Sequence, residues 1–206
     1  MAGCVLYLSV GCNAGQCRGT MKSELKINNN HLKGLKNLKI MDIETYLLDK
    51  NVWTQEDYEQ MGWHDSRIYG LLFLPDDETE TTDLIFDIDY IFKWVHPVPP
   101  EQYFSFWLSP CTLIFKDTFA LKMDIDNQGM KADLLEIADL ILVSKIEQEK
   151  GVWIYEWEME LQEGNIRFKS TGFSQMVRHK PIYTKRQVLT LTERDGVSFN
   201  LTPCDL

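Results

Sequence analysis

The residues best suited to chemistry are Trp63-His64-Asp65, with Arg67 close behind, and the acids Asp87 and Asp89 in the run Leu84-Ile-Phe-Asp-Ile-Asp-Tyr. A histidine with several carboxylates can hold a divalent ion or exchange protons as an acid and base pair. A spacing of two puts Asp87 and Asp89 on one face of a strand. Pairing of that strand with one starting near Arg67 would carry them toward His64 and Asp65. The catalytic candidates are therefore His64, Asp65, Asp87 and Asp89, and the metal alternative is His64, Asp87 and Asp89. The plainer reading is that the acids line a solvated sheet face and that His64, beside a tryptophan, is structural. On it no metal and no cofactor is expected, because no further ligand stands at a recognised spacing and the zincin helix motif is absent.

Other chemistries find less support. There is no Gly-x-Ser-x-Gly elbow, no Walker lysine and no glycine-rich loop opening a helix. Cys111, next to Pro110 at a strand start, reads as a small buried hydrophobe. The five cysteines include no C-x-x-C pair and are odd in number, which points to reduced thiols in a cytoplasm. The basic residues Arg178, His179, Lys180, Lys185 and Arg186 around Pro181 read as a solvated loop, with anion binding as the alternative.

A stripe at period two is the clearest local pattern. Trp153, Tyr155, Trp157, Met159 and Leu161 alternate with Ile154, Glu156, Glu158 and Glu160, so one face is aromatic and the other acidic. A two-residue turn centred on Glu163-Gly164 would set Leu161 against Ile166, Glu160 against Arg167, Met159 against Phe168 and Glu158 against Lys169. The stripe is read as core, with an aromatic-lined ligand pocket as the alternative.

These residues need a sheet to hold them. Strand-like runs start at Arg67 and are placed at residues 68–74, 84–94, 103–108, 112–116, 119–125, 138–144 and 153–161, then on the return limb of the hairpin. A last strand at 188–194 leads through Asp195-Gly196 to a return over 197–201. The short connections favour antiparallel neighbours. The expectation is a mainly β fold, a curled antiparallel sheet that is barrel-like or a sandwich. Two short N-terminal helices precede it, one behind Asp42 and one from Thr54, where Thr-Gln-Glu-Asp has the shape of a capping box ending at Gly62. Residues 130–137 are ambiguous between a helical turn and a loop.

Residues 1–40 carry six basic side chains and one acid, Glu24, so the rest of the chain holds about −15 of the net −10. They show no sustained period and are read as a flexible leader before a single domain at 41–206, with Met21 and Met41 as alternative starts. The apolar run at 4–10 is too short to span a bilayer, and a lipoprotein box at Ser9-Val-Gly-Cys is disfavoured for want of a basic lead. An acidic body repels phosphate backbones and anionic lipid, so neither nucleic acid nor membrane is expected as a partner.

The stretches Trp63-His-Asp-x-x-Ile68-Tyr69-Gly70, Leu84-Ile-Phe-Asp-Ile-Asp-Tyr-Ile and Phe104-Ser-Phe-Trp-Leu-Ser-Pro-Cys-Thr-Leu-Ile-Phe together resemble an uncharacterised bacterial protein family, a domain of unknown function. The resemblance covers about residues 41–200 and implies a small stand-alone bacterial protein. From charge and pattern the leading expectation is a non-catalytic cytoplasmic protein-binding domain, immunity-like in size and charge. It would offer the row Glu156, Glu158 and Glu160 to a basic partner. The alternatives are a metal-assisted hydrolase or lyase using the His/Asp cluster, and a barrel that holds a small apolar ligand.

Overall fold

The computed structural model describes residues 45–126 and 135–206. Expectations for the leader, for Cys4, Cys12 and Cys17, for residues 42–44 and for residues 130–134 lie outside them. Among the described residues the chain forms ten strands: β1 (Val52–Thr54), β2 (Ser66–Asp76), β3 (Thr81–Val95), β4 (Ser105–Lys116), β5 (Phe119–Ile125), β6 (Glu136–Glu147), β7 (Trp153–Leu161), β8 (Gly164–Ser170), β9 (Gly172–Val177) and β10 (Ile182–Thr184). They make one antiparallel sheet in the order β1-β9-β4-β3-β2-β6-β7-β8-β5, with β10 added beside β4. The sheet is curled and not closed: β1 and β5 end the path without pairing to each other.

The curl follows from where the aromatic residues go. Tyr155 and Trp157 on β7 and Phe168 on β8 turn inward, as expected, and meet β4 and β9 across the interior. Phe115 lies 4.6 Å from Phe168 and 5.7 Å from Trp157, and Phe173 lies 5.6 Å from Trp157, ring centre to ring centre. Edge-on contacts of this kind add to the burial of large rings. Trp153, at the strand start, stays outside this core and packs under Lys145. The aromatic stripe is thus filled by neighbouring side chains.

Several local expectations are corrected. The β7–β8 register is two residues from the one expected: Leu161 faces Gly164, Met159 faces Ile166, Glu158 faces Arg167, Trp157 faces Phe168 and Glu156 faces Lys169. The turn is therefore Gln162-Glu163. A slip of two keeps every side chain on its face, so alternation alone could not choose between the registers. The strand β5 supplies what decides it. Gly164 has φ +145°, and a Cβ there would stand 2.0 Å from the Asp124 carbonyl oxygen, so this glycine belongs in the β8 ladder against β5.

The runs at 103–108 and 112–116 are one strand, β4. Pro110 is tolerated because β4 changes partner there, from β10 at Phe106–Leu108 to β9 from Cys111 onward. β5 leaves β4 to pair with β8. The helix expected behind Asp42 begins outside the described residues, and residues 45–48 are not helical; the Thr54 capping box, with Asp57 returning the bond, opens a 3-10 helix, not an α-helix, at Gln55–Gln60 that stops at Met61.

The last expected hairpin, 188–201, is absent. Thr190-Leu-Thr-Glu193 is itself a capping box. The Thr190 N–H and hydroxyl both donate to Glu193 Oε2, at 2.8 and 2.7 Å, and the Arg194 N–H turns back to the Thr190 carbonyl. Local bonds outcompete the ladder that the alternating leucines suggest.

Candidate functional site

The β2–β3 pairing carries the first candidate residues. Arg67 faces Asp89, and a bulge at Tyr69 puts Gly70 opposite Asp87. Asp87 and Asp89 share one face of β3, while Phe86, Ile88 and Tyr90 point into the main core. The two acids do not meet solvent: both are fully buried. The irregular segment 185–206 lies over this outer face, with Leu189 packed on Ile91, Phe106 and Leu108.

Buried carboxylates need cations, and two arginines supply them. Arg194 places Nη1 2.8 Å from Asp87 Oδ2 and Nη2 2.6 Å from Asp87 Oδ1, a two-pronged grip, while its Nε donates to Asp89 Oδ1 at 3.1 Å. Its Nη1 also reaches the Gly196 carbonyl at 2.8 Å, and its guanidinium carbon sits 3.6 Å from the centre of the Tyr69 ring. Arg178 Nη2 donates to Asp87 Oδ1 at 2.5 Å and Nη1 to the Ser198 carbonyl. Main-chain and hydroxyl donors complete the set: Ser198 N–H to Asp87 Oδ2 at 2.9 Å, Leu189 N–H to Asp89 Oδ2 at 2.8 Å, and the Tyr69 hydroxyl, whose one proton is shared between Asp89 Oδ2 at 3.0 Å and the Leu189 carbonyl at 2.7 Å. Two negative and two positive charges cancel inside a dry layer. Burial pulls the Arg194 guanidinium down, but its bonds to Asp87 and Asp89 outweigh that and the net shift is upward. Burial, reinforced by Asp89, pushes the Tyr69 phenol up.

His64 and Asp65 stand elsewhere. The ring of His64 is exposed, its Nδ1 lies 3.0 Å from the Ala138 carbonyl oxygen on β6, its Nε2 lies 3.5 Å from Asp65 Oδ1, and its plane stacks near Trp94. Asp65 occupies the left-handed region at φ 61° and accepts from Gln187 Nε2 at 2.8 Å. Glu136 joins this group; burial pushes its carboxyl up and Asp65 adds to the shift, against Arg67. The structure thus joins His64 to Asp65 and Asp87 to Asp89. Among the described residues no group of three or more His, Cys, Asp or Glu side chains is placed to hold a metal ion.

Four of the five basic residues of the loop, all but Lys180, have an acidic partner among the described residues. Arg178 is buried on Asp87, His179 faces Asp195 at 3.4 Å, Lys185 pairs with Glu101 at 2.9 Å and Arg186 with Glu193 at 2.7 Å. Cys111 is fully buried, and burial pushes its thiol up. Arg194 and Tyr69 were not among the sequence candidates. The signal for a cation was present: two acids inside an otherwise unbroken apolar run, which marks a strand covered on both faces.

The acidic row lies on the outer face of β6–β8. Glu158 is paired with Arg167 at 2.7 Å, and Glu156 with Lys169 at 3.6 Å and with the Ser144 hydroxyl at 3.1 Å. Glu160 differs, because it stands directly opposite Asp139 of β6, and both are exposed. Two bulges in β6, at Ile137/Asp139 and Leu142/Ser144, turn Ile137, Leu140 and Leu142 to the core. Val143 and Ile146 are left exposed, 52% and 50% accessible, with Ile146 paired to Ile154 on the outer face.

Among the described residues, fold and site together define an antiparallel β domain whose outer face is covered by segment 185–206 over β2–β4 and carries exposed side chains over β6–β8. Comparison with protein-family models, with curated proteins and with solved structures yields no match. No helix of the described residues is long and apolar enough to cross a membrane.

Proposed function

We propose that the chain is a non-catalytic cytoplasmic protein-binding domain that presents the outer face of β6–β8 to a basic partner. The observation that carries this reading is the Asp139–Glu160 pair. Like charges directly opposite in a sheet destabilise it, and among the described residues Glu160 faces Asp139 on one side and the uncharged Asn165 on the other. A basic side chain from a partner relieves that repulsion, while the exposed Val143 and Ile146, further along β6, supply apolar contact to an extended partner surface. The acids set the rate of encounter and the apolar residues the lifetime of the complex. An immunity protein neutralising a basic toxin in a bacterial cytoplasm is one arrangement of this kind.

The test is affinity capture from the native cells with the wild-type chain and with the variant Asp139→Lys/Glu160→Lys, over a range of salt. A basic protein held by the wild type, lost by the variant and weakened by salt supports the reading. Identical captured sets for the two chains overturn it.

A further inference from the structure

A second binding feature lies beneath the C-terminal segment, independent of the β6–β8 face. Residues 185–206 form no strand. The segment is held by its polar groups: Arg194 on Asp87 and Asp89, Ser198 N–H on Asp87, Leu189 N–H on Asp89, and the Leu189 and Asn200 carbonyls on the hydroxyls of Tyr69 and Thr112. Its apolar side chains anchor it in part: Leu189 is buried, Phe199 packs over Gly70 and Cys204 on the main core, while Leu191, Val197, Leu201 and Leu206 are exposed. An irregular element outside the sheet ladder, held mainly by charge and hydrogen bonds and with most of its leucines exposed, opens before the strands it covers.

What it covers is a built receptor for one chemical group. Asp87 offers two oxygens in the plane of a guanidinium, Asp89 a third for Nε, and Tyr69 a ring face at 3.6 Å. Planar, two-pronged, stacked recognition of this kind is specific for arginine over lysine. Ile85, Ile91, Leu108 and Ile114 surround it on the same outer face, as the β3–β4 pairs Ile85–Ile114 and Ile91–Leu108 show. We propose that Asp87, Asp89 and Tyr69 form an arginine-recognition pocket that the chain's own Arg194 occupies in cis. Lifting of segment 185–206 then opens the pocket to an arginine-bearing, partly apolar segment of a partner. Arg194 acts as an internal competitor and lowers the apparent affinity by the fraction of time the segment is closed.

The test uses the full chain, wild type and Arg194→Ala, with a fluorescent peptide of sequence 187–200 and the same peptide carrying Arg194→Lys. The variant is expected to bind the arginine peptide roughly tenfold or more tightly than the wild type does, because the competitor is gone. The lysine peptide should bind roughly tenfold or more weakly, the loss expected of one charge-assisted pair. Equal binding of the two peptides, or no binding by a variant whose circular dichroism is native, overturns the proposal. Should the variant not fold, amide exchange in the wild type decides. The Leu189 and Ser198 amides exchange faster with the arginine peptide and not with the lysine peptide if the pocket is competed for, and unchanged exchange with both refutes it.

Discussion

Replacement of Asp87 by asparagine removes one charge and almost no volume. In the native structure Asp87 answers three donors from two arginines and one main-chain N–H. The amide keeps one acceptor oxygen and turns a donor toward a guanidinium, so Arg178 loses its carboxylate partner and Arg194 keeps only Asp89. Breaking a buried pair on one side costs about 3–5 kcal/mol, because the remaining charge stays uncompensated. With about 2–4 °C per kcal/mol for a domain of this size, the melting temperature should fall by roughly 6–20 °C. The assay is calorimetry or circular dichroism on wild type, Asp87→Asn, Arg194→Gln and the double variant. The double variant should be less destabilised than the sum of the two, by about 0.5–3 kcal/mol, since the two residues share one interaction. A fall under about 2 °C for Asp87→Asn, or strict additivity, would refute the closed ionic layer.

Trp157→Ala should cost about 3–5 kcal/mol in chemical denaturation, because the indole is fully buried against Phe115 and Phe173 and its Nε1 donates to Ser170 Oγ. Gly164→Ala should release β5 selectively, seen as faster amide exchange over Phe119–Ile125 with β3 and β4 unchanged, because the new Cβ meets the Asp124 carbonyl. The Glu193 carboxyl is held at about 2 by the Thr190 N–H and hydroxyl and by Arg186, against an ordinary value of 4.5. A carboxyl lowered in the folded state stabilises the fold above its unfolded value and loses that contribution as pH falls from 4.5 toward 2. An NMR titration of the folded chain should show the Thr190 amide shifting with a midpoint at about 2, not at the ordinary 4.5, and staying flat in Glu193→Gln. Under native conditions a thiol reagent should reach Cys204 before Cys111, whose labelling waits on global unfolding.

The legible part of this fold is the part written in alternation. The period-two runs located most of β2 to β8, and the aromatic stripe of β7 told which face is core. Pairing of β2 with β3, and the common face of Asp87 and Asp89, followed from the same logic. Alternation is blind to registers that differ by two, so the β7–β8 turn was misplaced until the close approach of Asp124 to Gly164 is considered. It is also blind to local competition, which is why Thr190–Arg194 read as a strand although its T-x-x-E spacing encodes a cap. The candidate site was half visible. Two acids in an apolar run flagged a special place, but their partners lie about a hundred residues further along the chain, where Arg178 sits in a basic loop and Arg194 in a supposed strand. Nothing in the local pattern of either arginine shows that it turns inward; only burial of Asp87 and Asp89 on both sides of the sheet demands it.

Hydrogen exchange of the Arg194 Nε–H, followed by NMR on the wild-type chain, reads the buried ionic layer most directly. A proton held between Asp89 and the Tyr69 ring should give a separate resonance, exchanging far more slowly than a solvent-exposed guanidinium but, because segment 185–206 opens first, ahead of the core amides of β3. A guanidinium exchanging as fast as that of the exposed Arg167 would contradict the account.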